Sequence, residues 1–156
     1  MLHEDPRWHS KGELEHPELL GLLKRWQEWA RMESIPLRSR FDPVDFPRLL
    51  PWMILGEILA DAPQFDARMR YVGSEIVHYF KSENLTGKLV SDLPPIFARR
   101  WSDVGKSVVK ACSPQIFEGR PFMVDKAFVL FEMLTVPLSK SGHAVDFIIV
   151  AMMISR

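Results

Sequence analysis

The sequence predicts an α+β fold: one antiparallel sheet with short helices packed against one face, preceded by an amphipathic helix. Three observations predict it. Helix-like and strand-like segments follow one another as helix, two strands, helices, three strands, the order of a single sheet with helices gathered on it. The last segment, Phe147 to Ile154, is apolar at odd and even positions alike, as a strand covered on both sides must be. Between the first helix and the first strand, FDPVDFPRLLPWM places prolines at 43, 47 and 51, which neither a continuous helix nor a strand interior tolerates.

The leading residues 1–12 are polar and aperiodic and are expected to form a flexible tail. Residues 13–51 are expected to hold the first helix and a proline-rich corner, and residues 52–156 the core domain. Pro17 suits the first turn of a helix, with His16 as its cap. Leu19, Leu22, Leu23, Trp26, Trp29 and Ala30 then recur at three- and four-residue spacing, giving an amphipathic helix that ends near Met32. Asp42-Pro43 and Asp45-Phe46-Pro47 each resemble a helix start, so the corner is expected to hold one or two single turns, with Pro51 ending the second. WMILGEIL (52–59) and RMRYV (68–72) are strands. Gly73 and Ser74 open a helix, SEIVHYFKS, on which His78 points away from the apolar face. Pro94-Pro95 announces the longest central helix, about 96–112, with Phe97, Trp101, Val104, Val108 and Cys112 as its stripe. Gly105 lies beside that stripe at a cost of about 1 kcal/mol against alanine, which signals close approach of another element or room for something bound. Extended segments at 115–118, 124–138 and 144–154 close the chain.

A length of 156 residues, 47% hydrophobic and 26% charged, fits one globular domain. Twenty basic residues balance twenty acidic ones, so no bulk field attracts nucleic acid or anionic lipid. Cys112 is the single cysteine, which excludes an internal disulfide and a Cys-rich zinc site. The longest apolar run has eight residues, far from the roughly 20 of a membrane-spanning helix. The N-terminus carries no apolar signal-peptide core, and a cytoplasmic location is expected.

Three blocks, DPVDFPRLLPWM, RYVGSEIVHYFKSENLTGKLVSDL and FEMLTVPLSKSGHAVDFIIV, resemble in order and spacing those of a bacterial, often stand-alone PAS family. The similarity runs from about Trp26 to Val150. The resemblance implies a five-stranded antiparallel sheet with helices cupping a small pocket. It also implies a sensory role in which small ligands, cofactors, light or redox state are passed on through protein contacts.

Function must then be argued from residues. Haem needs an axial ligand in the pocket, and His78 faces solvent while His143 lies at a hairpin and His3, His9 and His16 in the leader, so haem is disfavoured. Flavin photosensing of the PAS type relies on a cysteine in an Asn-Cys-Arg motif, which KACSP around Cys112 lacks, so a flavin adduct is disfavoured; Cys112 reads as a small buried hydrophobe. The cofactor is left unknown. Arg99, Arg100, Lys106 and Lys110 run down the central helix with Asp103 among them, and read as a solvated face rather than a phosphate or nucleic-acid site. Glu57, Glu132 and Asp146 interrupt apolar strands; Glu57 and Asp146, placed on adjacent strands by the PAS order, are the pair on which a small α+β enzyme would rest. The expected site is instead an apolar pocket drawn from Phe80, Leu85, Trp101, Val104, Val108, Phe117, Phe131 and Phe147, open to a small apolar ligand. Leu19, Leu23, Trp26 and Trp29 are candidates to cover the outer face of the sheet, in cis or across a homodimer. The expected function is a non-catalytic signalling module acting on an unidentified protein partner, with a ligand-free scaffold of the same fold as its rival.

Overall fold

The computed structural model describes residues 8–79, 84–120 and 129–155. Helix α1 (Pro17–Trp29) starts where the sequence places it. His16 is extended and its Nδ1 accepts from the Glu18 N–H at 3.3 Å, Pro17 occupies the first turn, and Glu18 lies near the positive end of the helix dipole. Leu19, Leu22, Trp26 and Trp29 are buried along one stripe. The helix ends at Trp29, three residues before Met32, where the expectation put its end.

The chain then turns through single 3-10 turns at Arg38–Arg40, Pro43–Asp45 and Leu50–Trp52. Asp42 caps the second of these, accepting from the Val44 N–H at 3.0 Å, as expected of Asp-Pro. Pro51 lies inside the last turn rather than ending it, because a proline in a first turn forfeits no hydrogen bond. Gly73 holds the corner in place. A methyl on its Cα would overlap the carbonyls of Leu50 and Pro51, and its N–H donates to the Met53 carbonyl at 2.8 Å.

Strands β1 (His9–Ser10), β2 (Met53–Ile58), β3 (Ala67–Val72), β4 (Gln115–Gly119), β5 (Phe131–Leu138) and β6 (Phe147–Ile154) form one antiparallel sheet in the order β1-β4-β5-β6-β2-β3. The sheet has six strands, not the expected five, since part of the leader adds an edge strand: His9 pairs with Glu118 and Ser10 with Phe117. Residues 8–12 are therefore docked, while residues 1–7 lie outside the described residues. Strand β5 begins at Phe131, and the earlier part of the expected strand, 124–128, lies outside the described residues. Strand β6 begins at Phe147 because Asp146 and its neighbours make the hairpin turn, with the Asp146 N–H donating to the Leu138 carbonyl at 2.9 Å.

The sheet separates two apolar layers. On one face Met53, Leu55, Leu134, Val136, Ile149 and Ala151 pack against the stripe of α1. On the other, Met133, Ile148, Val150 and Met152 pack against α2 (Ser74–Tyr79) and α3 (Pro95–Ala111), through Ile76, Trp101, Val104 and Val108. The sequence left open whether the outer face is covered in cis or across subunits, and here α1 covers it in cis. Trp26 fixes the docking, its Nε1–H donating to the Pro137 carbonyl at 2.8 Å. Strand β4 reaches only Thr135 along β5, so Pro137 lies where that side of the strand has no ladder neighbour and a proline costs no bond.

Candidate functional site: an apolar cavity between sheet and helix

Between the sheet and α3 lies a cavity of about 60 Å³. Its floor is made by Ile54, Ile148 and Val150, which alternation on β2 and β6 points to this face. Trp101, Val104 and Gly105 of α3 form the roof, one helical turn of the apolar stripe. Met69, Leu85 and Leu93 close the sides. Phe65, from the loop between β2 and β3, sits in the mouth with its ring against Gly105, so close that a methyl on that glycine would overlap it. The helix glycine thus serves close approach, one of the two uses expected of it.

Of the expected pocket residues, Leu85, Trp101 and Val104 line this cavity. Val108, Phe117 and Phe131 are buried in the same layer without lining it; Phe131 packs on Trp52 with ring centroids 5.5 Å apart. Phe147 faces the other way. It shares the face of Ile149 and Ala151 beneath α1, and Lys140 lies 5.6 Å from its ring. Phe80 lies outside the described residues. Sequence reasoning missed Phe65, Met69, Leu93, Ile148 and Val150. The last two were within reach, because Ile148 and Val150 stand opposite Phe147 in the strand alternation.

Polar chemistry is arranged elsewhere. Glu57 follows Met53 and Leu55 in the alternation, away from the cavity, and binds Lys140 at 3.1 Å and Arg70 at 2.6 Å. Arg70 first, then Lys140, hold its carboxyl below the ordinary glutamate value. Asp146 accepts from the Lys140 N–H at 2.7 Å and the Ser139 hydroxyl at 3.4 Å, so it organises the hairpin. The backbones of these two carboxylates are neighbours, as the expected strand order required, but neither lines the cavity.

Glu132 is the buried carboxylate, 1% exposed. It accepts from Lys11 Nζ at 2.7 Å, from the Glu15 N–H at 2.9 Å and from the His16 N–H at 2.8 Å, which ties the leader and the start of α1 to the sheet. A cleft of about 220 Å³ beside it is lined by Glu15, His16, Pro17 and Ser155, but these own-chain donors already occupy the carboxylate.

The expected solvated basic face is corrected at Arg100. Arg99, Lys106 and Lys110 are exposed, whereas Arg100 is buried; it donates to the Arg120 carbonyl at 2.6 Å and lies over the Trp8 ring at 5.7 Å. Cys112 is likewise exposed rather than buried, because it ends α3 in the left-handed conformation at φ +52°, which turns it off the stripe. His9, His78 and His143 are exposed, His16 caps α1, and none of them lines the cavity.

The PAS domain family model matches residues 14–153 of the 156. The chain belongs to the PAS domain family. No curated protein and no solved structure matches it at a comparable standard. The antiparallel sheet with its helices is an α+β fold consistent with that family, and the match takes in α1 while the edge strand β1 lies before it. Membership supports a sensory or signalling role in general terms, of a class that is generally non-catalytic. Among the described residues no helix of this PAS domain is long and apolar enough to cross a membrane. Leu19, Trp26 and Trp29, candidates for an interface, are buried against their own sheet, and Leu23 is half-buried beside them.

Proposed function

We propose that this PAS domain is a non-catalytic, cytoplasmic sensory module that holds a small apolar ligand between its sheet and α3 and signals through protein contacts. The observation that carries the reading is the cavity at the centre of the second apolar layer, walled by aliphatic and aromatic side chains. Its roof residue Trp101 packs on its outer side against Trp8 of the leader, ring centroids 5.6 Å apart. A shift of Trp101 on ligand entry would thus reach β1 and the sheet edge, a surface suited to protein contact. The partner is an unidentified signalling protein or a second copy of the chain. A homodimer would use a surface other than the α1 stripe, which the chain's own sheet covers. Glu57 and Asp146, engaged by their own neighbours away from the cavity, give the enzyme alternative no support.

A second reading is favoured by one observation. About 60 Å³ is well short of the roughly 300 Å³ at which small-molecule sites begin, as a ligand-free scaffold would have it. Native mass spectrometry of the freshly purified chain, set beside the same sample denatured, separates the two. The sensory reading expects a reproducible mass excess that disappears on denaturation. A bare polypeptide mass in every preparation would favour the scaffold.

A further inference from the structure

Phe65 carries the inference that goes furthest, and it rests on the pocket reading above. The ring is half-buried and packs into the layer of Met69, Trp101 and Val104, in the space left by the missing side chain of Gly105. Its backbone is not part of the sheet. The loop runs from Leu59 to Asp66 and is closed by the Leu59 N–H donating to the Asp66 carbonyl at 3.0 Å. Asp66, the next residue, is pinned independently: its carboxylate takes the Ser91 N–H at 3.1 Å and the Ser91 hydroxyl at 2.5 Å. The Phe65 side chain can therefore leave its seat by rotation about its own bonds while the backbone at Asp66 stays anchored. Side-chain rotation of that kind is fast and needs no unfolding of the strands.

We propose that Phe65 is a built-in plug, and that the ligand of this pocket is an uncharged aromatic ring that takes Phe65's place against Gly105. Two features set the chemical class. The seat on Gly105 already accepts a flat ring edge, so its shape is matched to one. The surrounding walls, Ile54, Leu93, Val104, Ile148 and Val150, are aliphatic, and of the other lining side chains Trp101 alone carries an N–H, so a buried charge on the ligand would be left without a counter-charge. With the ring swung out, its own volume joins the cavity of about 60 Å³, and the site that looks too small becomes large enough for a one-ring ligand. Plug and ligand then compete, and occupancy is reported by whether the Phe65 ring lies in its seat or out of it.

The test uses the full chain and toluene as the probe, with binding measured by calorimetry and by the change in intrinsic tryptophan fluorescence, to which Trp101 at the roof contributes. Phe65→Ala is expected to bind toluene at least ten-fold more tightly than the wild type. Adding Gly105→Ala to that variant is expected to abolish the binding by putting a methyl into the seat. Circular dichroism confirms that each variant is folded, and Phe65→Leu, which keeps the loop's apolar anchor, stands in if Phe65→Ala is not. Equal toluene affinity in wild type and variant would overturn the plug and leave the pocket reading standing. No binding by either folded protein would overturn both. Binding that survives the Gly105→Ala change would overturn the assignment of the seat.

Discussion

Glu132 stands on a strand whose residues are all buried, where an unpaired carboxylate would be costly. The chain answers with three donors, and all of them come from the leader. Lys11→Met leaves the carboxylate with its two backbone partners and is expected to cost about 2 kcal/mol, read from urea unfolding at neutral pH. No change in the unfolding midpoint would show that Lys11 is a surface charge without consequence. The same cluster sets a pH dependence. Burial pushes the Glu132 carboxyl up, but the Lys11 ammonium and the His16 and Glu15 N–H groups together outweigh it, so its pKa lies below the ordinary 4.5. A depressed folded-state pKa stabilises above the unfolded value and loses that contribution as pH falls through the folded one. Below about pH 4.5 the wild type is therefore expected to lose stability more steeply than Glu132→Gln, measured as unfolding free energy against pH. At the alkaline end the hydrogen bond to Glu132 leads the causes that hold the Lys11 ammonium above 10.5, and its contribution is lost as pH rises through that raised value.

Helix α1 is an element that propensity alone would not hold. Its 13 residues are near the length at which an isolated helix is marginal in water, so its stability comes from the face it docks. Burying Leu19, Leu22, Trp26 and Trp29 contributes about 1.5–3 kcal/mol for each side chain. Trp26 adds a buried hydrogen bond to the Pro137 carbonyl. Trp26→Phe is expected to cost about 1 kcal/mol and Trp26→Ala about 3–5 kcal/mol in thermal or urea unfolding, the difference being the volume left empty. Equal losses would mean that the hydrogen bond, not the packing, carries the docking. The stripe itself was legible, since three- and four-residue spacing names the buried face of a helix whatever it docks on. What it docks on was not, because two of the partner strands, β5 and β6, lie more than a hundred residues further along the chain.

Across the whole molecule the central strands β5 and β6 are covered on both sides, by α1 and by α2 with α3. Amides of Leu134, Val136, Ile149 and Ala151 are expected to exchange with deuterium last, and those of the short edge strand β1 far earlier. Uniform exchange across the sheet would deny the two layers their separate roles. Legible in the residues alone were the order of elements from α1 onward, the burial of β6 on both faces, the amphipathic stripe, the capped corner and the family. Each is written in local spacing, in the position of a proline or in a contiguous block, and local rules read such signals directly. Long-range packing set which face of β6 meets the cavity, and it turned Phe147 away in favour of Ile148 and Val150. It also drew the leader's Trp8 and Lys11 onto the sheet and set Phe65 against Gly105. These are meetings of residues far apart in the chain. A strand's alternation fixes two faces but not which one a helix will cover, and a polar leader does not announce the buried carboxylate that captures it.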